Sequence, residues 1–229
     1  MAQTRVKHQS IREQVRDLIL HRIATGEFPP GHRIVEARIA EEVGVSPIPV
    51  REAIRELTAL GMLECAPHKG ARVREVSLEE TIYALEVRVA LETLTAKTAV
   101  PLPPDKLEDL EEAFEGILET AAQRDFVGFL EHNQVFHRTL VEASGNTVAL
   151  RLWETLAFDV RTKFILEYLR TIDPVLIAEE HRAVVEAVRR GDCEATSAAL
   201  ATHSNSLIAY LRAESERRQR EEAGESDND

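Results

Sequence analysis

The sequence contains only two cysteines, Cys65 and Cys193, among its 229 residues. Two cysteines are too few for a disulfide framework, so we expect a protein of the reducing cytoplasm. No uninterrupted apolar run approaches the roughly 20 residues that a membrane-spanning helix needs. The first ten residues, MAQTRVKHQS, carry no apolar segment behind their basic residues, which argues against a secretory signal peptide. These absences together predict a cytoplasmic protein without a membrane segment.

Positive charge is also scarce, because 28 Lys and Arg residues face 40 Asp and Glu residues, for a formal net charge of −12. The deficit is uneven along the chain. Residues 1–76 contain 12 basic and 10 acidic residues, a balance of +2, whereas residues 77–229 contain 16 and 30, a balance of −14. This asymmetry is typical of a DNA-binding module that is carried by an acidic domain.

The first 76 residues show three segments with apolar residues at helical spacing, followed by two strand-like segments. Ser10 and Glu13 form a capping-box pattern at the start of the first helix, and Gly44 ends the second. Ser46 caps the third helix, whose first turn contains Pro47. The helices are predicted over residues 10–24, over 36–43 and after Ser46, and the strands over 62–65 and 71–75. This order predicts a winged helix-turn-helix with a two-stranded wing.

From Ser77 onward every segment with a clear pattern is helical, with proline or glycine at the boundaries. The predicted helices cover residues 78–99, 105–124, 126–143, 147–170, 174–190 and 192–218. A break near Asp159 would divide the fourth helix and give seven. The last part of the charged tail after residue 213 is expected to be disordered. The predicted fold is therefore mainly α, with a winged helix-turn-helix domain (1–76) and an all-helical bundle of six or seven helices (77–229).

Residues 10–75 closely resemble the GntR superfamily of bacterial regulators. The shared elements are the Pro30-Gly31 turn, Ile39-Ala40, Gly44-Val45-Ser46, Pro49-Val50-Arg51-Glu52-Ala53, Leu57, Gly61 and Gly70. The resemblance implies a sequence-specific, DNA-binding transcription regulator that acts by default as a repressor. It is the basis for the expectation that residues 1–76 bind a double-stranded DNA operator.

The same resemblance implies that Arg38, Ser46, Arg51 and Gly70 contact DNA, and His68 and Lys69 are neighbouring candidates in the wing. An arginine considered alone would more simply belong to a solvated helix face. The sequence also departs from the family pattern, because Pro47 stands where arginine is usual and Ile48 where threonine is common. Without that guanidinium we expect an altered operator half-site or weaker binding.

Three histidines of the second part lie in register with apolar residues of their own predicted helices. Asn133 and His137 are four residues apart and share a helix face. His137 follows Leu130, His181 follows Ile177, and His203 follows Ala199 at helical spacing. All three imidazoles are therefore predicted to face the interior of the bundle, where a polar group without a partner is costly. A single such histidine is usually a hydrogen-bonded core residue, but three on separate helices favour a shared site.

Residues 78–207 look like the FCD effector domain of the FadR-like branch. The matching marks are Arg88-Val-Ala-Leu-Glu92, Phe136-His137-Arg138, Ser144-Gly145-Asn146, Glu180-His181, Gly191-Asp192 and His203. The resemblance implies a divalent metal, zinc or nickel, held by Asn133, His137, His181 and His203. It also implies that Arg88 meets the carboxylate of a small effector, such as a sugar acid or a lactate-like, dicarboxylic or fatty acid derivative. The alternative for Arg88 and Glu92, four residues apart, is a simple intrahelical ion pair.

The combined expectation is a homodimer that reads a short pseudo-palindromic operator and loses affinity when a small carboxylate binds at or near the metal. Two alternatives stay open. One keeps DNA binding but makes the metal structural or absent. The other is a metal-dependent hydrolase. It is disfavoured, because no carboxylate is placed as a general base on the same helix faces and no catalytic motif is present. We therefore expect a regulator and not an enzyme.

Overall fold

A computed structural model describes residues 10–66, 70–156 and 158–222 of the chain. The chain divides into two compact units. The first unit comprises the described residues up to Val76, and the second comprises nearly all of the described residues from Ser77 onward. Among the described helices, none combines the length and apolar character that crossing a membrane requires.

The first unit is built from three helices and a small sheet, and it forms the winged helix-turn-helix that the sequence predicts. The helices are α1 (Ile11–Ala24), α2 (Glu36–Val43) and α3 (Pro47–Ala59). The capping box is confirmed, since the Ser10 side chain accepts the Glu13 N–H and the Glu13 side chain accepts the Ser10 N–H. Gly44 ends α2 in the left-handed conformation at φ 73°, a backbone geometry that glycine adopts without strain.

The wing has three strands in the described residues, and the prediction of a two-stranded wing is wrong. The strands are β1 (Arg33–Ile34), β2 (Leu63–Ala66) and β3 (Gly70–Val73), in the antiparallel order β1-β3-β2. Ile34 pairs with Ala71, and Leu63 with Val73. A two-residue strand is too short to show an alternating pattern, so the sequence gives no periodic signal for β1. Its buried Ile34 joins a core that α1 and α3 dominate.

The second unit contains seven helices in the described part of the chain. They are α4 (Leu78–Ala99), α5 (Pro104–Gln123), α6 (Phe126–Ala143), α7 (Thr147–Glu154), α8 (Phe158–Thr171), α9 (Pro174–Arg189) and α10 (Cys193–Glu222). The predicted helix over 147–170 is thus two helices, α7 and α8. The helix predicted to end at residue 218 continues to Glu222, where the ion pairs of Glu214 with Arg217 and Arg218 add support. Residues 223–229, the end of the charged tail whose last part was expected to be disordered, lie outside the described residues.

Helices α4, α6, α9 and α10 surround the part of the second unit that carries the histidines. Helix α4 packs against α6 and α10, and α10 packs against α9. Buried apolar residues fill the space between these helices, among them Phe136, Leu140, Val184 and Leu200. Each histidine of the predicted site is therefore anchored on a helix that is fixed by apolar packing on either side.

Candidate metal centre and DNA-reading helix

The residues expected to contact DNA occupy the two helices before the wing and the start of β3. Arg38 is exposed on α2, and Arg51 is exposed on α3. The Nε and Nη2 atoms of Arg51 lie 3.0 and 2.9 Å from Oε2 of Glu36, so α2 holds this guanidinium in place. Gly70 begins β3 at φ 76°, in the left-handed region. His68 and Lys69 lie outside the described residues.

Ser46 occupies the N-cap position of α3, but its side chain makes no capping hydrogen bond. Two other serines at helix N-caps do make one: Ser10 Oγ accepts from the Glu13 N–H, and Ser77 Oγ accepts from the Glu80 N–H. The residue three positions after Ser46 is Pro49, which has no N–H to donate. Pro49 thus removes one of the two usual donors to the cap, and in the structure the Ser46 hydroxyl makes no capping bond to the other, the Ile48 N–H.

The three histidines of the second unit come together as predicted. One ring nitrogen from each of His137, His181 and His203 lies within 4.8 Å of the other two. His137 and His181 are buried, and the side chain of His203 is 11% exposed. The rings of His181 and His203 are 4.0 Å apart between centroids. Three imidazoles at this separation are suited to hold one divalent metal ion.

Asn133 belongs to the same cluster, because its Oδ1 lies 2.8 Å from Nε2 of His181. The other ring nitrogen of His181, Nδ1, lies 3.0 Å from the Ile177 carbonyl and 3.2 Å from the Ala178 carbonyl, so it carries the proton. Burial keeps this imidazole neutral by lowering its pKa well below the ordinary value. The lone pair on Nε2 then faces the lone pairs of an amide oxygen. Either a cation between the two atoms or rotation of the amide to present its NH2 relieves this contact.

Glu92 is the residue at this site whose role the sequence did not indicate. Its Oε2 lies 2.9 Å from Nδ1 of His137, and its Oε1 accepts hydrogen bonds from Arg88 Nε at 2.6 Å and from Trp153 Nε1 at 2.8 Å. Arg88 and His137 hold the pKa of this carboxyl far below its usual range, against the opposing effect of burial. The ionised carboxylate fixes the proton of His137 on Nδ1 and leaves Nε2 as the ligand atom.

His203 has a carboxylate partner as well. Its Nδ1 lies 2.9 Å from Oε2 of Glu180, and Ser206 donates to Oε1 of the same carboxylate at 3.3 Å. Burial lowers the pKa of His203 to about 3 and lowers that of His137 as well, so both are neutral imidazoles at neutral pH. Neutral imidazoles with an acceptor on Nδ1 are in the form that binds a metal. The position of Glu180 directly before His181 was the only sequence signal for this contact.

A cavity adjoins the cluster, and the polar residues that line it include Arg88, Asn133, His137, Glu180 and His203. It offers about 50 Å3 of space to water-sized molecules. Since one water needs roughly 10–15 Å3 on this measure, an ion and a few ligand atoms fit. Arg88 thus lines the cavity and also forms the intrahelical ion pair with Glu92.

Both family comparisons match the architecture seen here. The family described as bacterial regulatory proteins, gntR family, matches residues 11–73, and the FCD domain matches residues 83–206. The chain is a GntR-family regulator with an FCD domain. Members of this family are DNA-binding transcription regulators and not enzymes, so the hydrolase alternative is excluded.

Several GntR-family relatives cover almost the whole chain. A protein named "Probable D-xylose utilization operon transcriptional repressor" from Paenarthrobacter nicotinovorans is 37% identical over 208 residues, with 90% of each chain covered. The HTH-type transcriptional regulator McbR of Escherichia coli strain K12 is 28% identical over 212 residues, covering 90% of this chain and 95% of McbR. The solved structure of E. coli McbR/YncC superposes with a TM-score of 0.75 at 25% identity, covering 90% of this chain and 99% of that one.

Proposed function

We propose that this GntR-family regulator is a cytoplasmic homodimeric repressor whose operator affinity is lowered by a small carboxylate that binds at a metal in the FCD domain. The observation that carries the proposal is the cluster of three imidazoles and one amide oxygen. Two of these imidazoles, the amide and Arg88 also line the adjoining cavity. In this arrangement residues 1–76 bind DNA, and residues 77–229 bind the effector and form the dimer.

The proposed metal ligands are Asn133, His137, His181 and His203, and the proposed ion is zinc or nickel. Support comes from the donor chemistry, because three neutral imidazoles and one oxygen suit a borderline divalent ion. The close approach of Asn133 Oδ1 to His181 Nε2 adds support, since a bound cation turns a contact between two acceptors into a favourable one. When bound, the ion acts as a Lewis acid that accepts a carboxylate oxygen of the effector.

The charges of the cavity wall favour an effector that depends on the metal. Glu92, which lies behind the wall, balances the charge of Arg88 at 2.6 Å, and Glu180 places a carboxylate in the wall itself. Without a cation these groups together carry more negative than positive charge and disfavour an anion. A divalent ion reverses the balance, so we expect carboxylate binding to require the metal. Sugar acids fit this chemistry, and the relative from P. nicotinovorans is named for D-xylose utilization.

The proposed DNA contacts are those of Arg38, Ser46, Pro47, Arg51, His68, Lys69 and Gly70. A homodimer places one winged unit on each half-site of a pseudo-palindromic operator. Effector binding in the second unit then shifts the equilibrium between two placements of the winged units and weakens the complex.

The first experiment measures metal content by elemental analysis in the purified, untagged protein, the His203→Ala variant and the His132→Ala variant. His132 is a matched control, because it lies on α6 next to Asn133 but outside the histidine cluster. We expect about one zinc or nickel ion per chain in the wild type and in His132→Ala, and loss of the ion in His203→Ala. A wild type that takes up neither zinc nor nickel would contradict the metal site but not DNA binding.

The second experiment measures operator affinity with and without candidate sugar acids and hydroxy acids, before and after metal removal by a chelator. We expect the acid to weaken the complex only in the metal-loaded protein, and Arg88→Lys to reduce the response. Equal weakening in the stripped protein would support a structural metal and an effector held by other groups.

A further inference from the structure

The first turn of α3 presents an apolar surface at the position where a recognition helix meets DNA. Pro47, Ile48 and Pro49 are its first three residues, and the side chain of Ile48 is 65% exposed. An exposed isoleucine on its own is ordinary on a protein surface. The position of Ile48, between two prolines in the first turn of α3, is unusual. Side chains at the N-terminal end of a recognition helix contact base edges in the major groove.

The two prolines also reduce the polar character of this turn. Neither Pro47 nor Pro49 has a backbone N–H, so Ile48 supplies the only main-chain donor among the first three residues of α3. A helix N-terminus normally attracts phosphate through these donors, and here that attraction is weakened. The nearest cationic group on the same helix is Arg51, whose Nη2 lies 2.9 Å from Oε2 of Glu36 in an ion pair. Hydrogen-bond recognition by the first turn is therefore limited to Ser46 and one N–H.

We propose that Ile48 recognises the C5-methyl group of a thymine in each operator half-site. Among the groups that bases expose in the major groove, the thymine methyl is the apolar one, whereas the others donate or accept hydrogen bonds. A branched apolar side chain gains free energy by removing that methyl group from water, and it offers nothing to guanine or cytosine. Ile48 is thus a specificity-determining residue that replaces polar recognition with methyl recognition. The inference rests on α3 being the helix that enters the major groove.

The experiment begins with selection of an operator from a randomised duplex library by the wild-type protein. Each thymine of the selected duplex is then replaced, one at a time, by deoxyuridine, which lacks only the C5-methyl group. We expect one position in each half-site where this replacement weakens wild-type binding about fourfold, the value for one buried methyl group. Ile48→Ala is expected to bind the thymine duplex more weakly and to be insensitive to deoxyuridine at that position.

Ile11→Ala is the matched control, because Ile11 is also an isoleucine in the first turn of a helix and is 52% exposed. It should keep both the affinity and the deoxyuridine sensitivity of the wild type. Because Ile48 is exposed, both variants should also keep the wild-type melting temperature. The inference is overturned if no deoxyuridine position weakens wild-type binding, or if Ile48→Ala keeps full sensitivity. A wild type that enriches no sequence would overturn operator recognition, and the role of Ile48 with it.

Discussion

The carboxylate of Glu92 lies 2.9 Å from Nδ1 of His137, and each of the two side chains is only 1% exposed. The same carboxylate accepts hydrogen bonds from Arg88 on α4 and Trp153 on α7. One buried anion therefore joins three helices and also sets the orientation of an imidazole in the candidate metal centre. We therefore expect structural stability and the affinity of the proposed metal site to be coupled through this single group.

Glu92→Gln should weaken both properties. The neutral amide removes the anion that pairs with Arg88 at 2.6 Å, and it removes the strong acceptor for His137 Nδ1. Breaking a buried ion pair costs about 3–5 kcal/mol, so the free energy of unfolding of the metal-free protein should fall by roughly that amount. Loss of a hydrogen-bond partner of a metal-binding histidine typically lowers metal affinity 10- to 100-fold. Chemical denaturation and competition with a chromophoric chelator measure the two effects.

Glu79→Gln provides the control for this change, because Glu79 is an exposed glutamate on the same helix. Its stability and metal affinity should match those of the wild type. If Glu92→Gln lost stability but bound the metal with unchanged affinity, the carboxylate would have no part in orienting His137.

Substitutions of Asn133 should rank metal affinity in the order Asp, Asn, Ala. A carboxylate is a stronger ligand than a neutral amide, and alanine offers no ligand atom. Asn133→Asp should also destabilise the metal-free protein, since a carboxylate has no NH2 to turn toward Nε2 of His181 and adds a partly buried charge. Titration calorimetry with zinc and nickel gives the ranking, with Gln134→Ala as the neighbouring control. Equal affinities for all three would show that residue 133 is not a ligand.

The metal-free protein should lose stability as the pH falls below about 6.5. Burial lowers the pKa of His137, His181 and His203 in the folded state, to about 3 for His203. The unfolded chain binds protons near pH 6.5 that the folded chain does not accept, so stability is present above this pH and is lost toward pH 3. Between pH 7 and pH 5, the lowered pKa of each of these imidazoles should decrease the free energy of unfolding by up to about 2 kcal/mol. Urea unfolding after treatment with a chelator measures the slope.

His203→Gln isolates one contribution to that slope. Glutamine does not titrate, so the variant should show a smaller decrease in stability between pH 7 and pH 5 than the wild type does. Identical slopes in the two proteins would contradict the lowered pKa of His203.

Substitutions of Arg51 and of Glu36, which form an ion pair, should change operator affinity in opposite directions. Arg51→Ala should weaken operator binding at least tenfold, and it should reduce the salt dependence by about one charge if the contact is to a phosphate. Glu36→Gln should strengthen binding severalfold, because it removes a carboxylate that competes for the guanidinium. Arg212→Ala, an equal change of charge in the second unit, should leave affinity close to the wild-type value. Salt-dependent fluorescence anisotropy tests all three.

The sequence predicted the histidine cluster because each imidazole follows an apolar residue at helical spacing on its own helix. The capping box at Ser10 and the end of α2 at Gly44 were likewise local patterns that the structure confirms. The positions of these elements depend on residues a few places apart, and short-range spacing is what a single sequence reveals best.

The contacts that were missed connect residues far apart in sequence. Glu92 and His137 are separated by 45 positions, and His203 and Glu180 by 23. Strand β1 has two residues and gains its identity only by pairing with β3. The sequence left open whether a break near Asp159 divides the fourth helix, and the structure has the break between α7 and α8. Tertiary packing decided each of these features.

The chain has a single tryptophan, Trp153, and its indole donates a hydrogen bond to Glu92. Glu92 is in turn the acceptor for His137. A bound ion would draw electron density from the His137 imidazole and strengthen the hydrogen bond from His137 to Glu92. Because Trp153 donates to the same carboxylate, the surroundings of the indole would change as well. The protein therefore carries its own optical reporter. Fluorescence excited selectively at this one tryptophan should therefore change when the proposed metal site is filled, without a label.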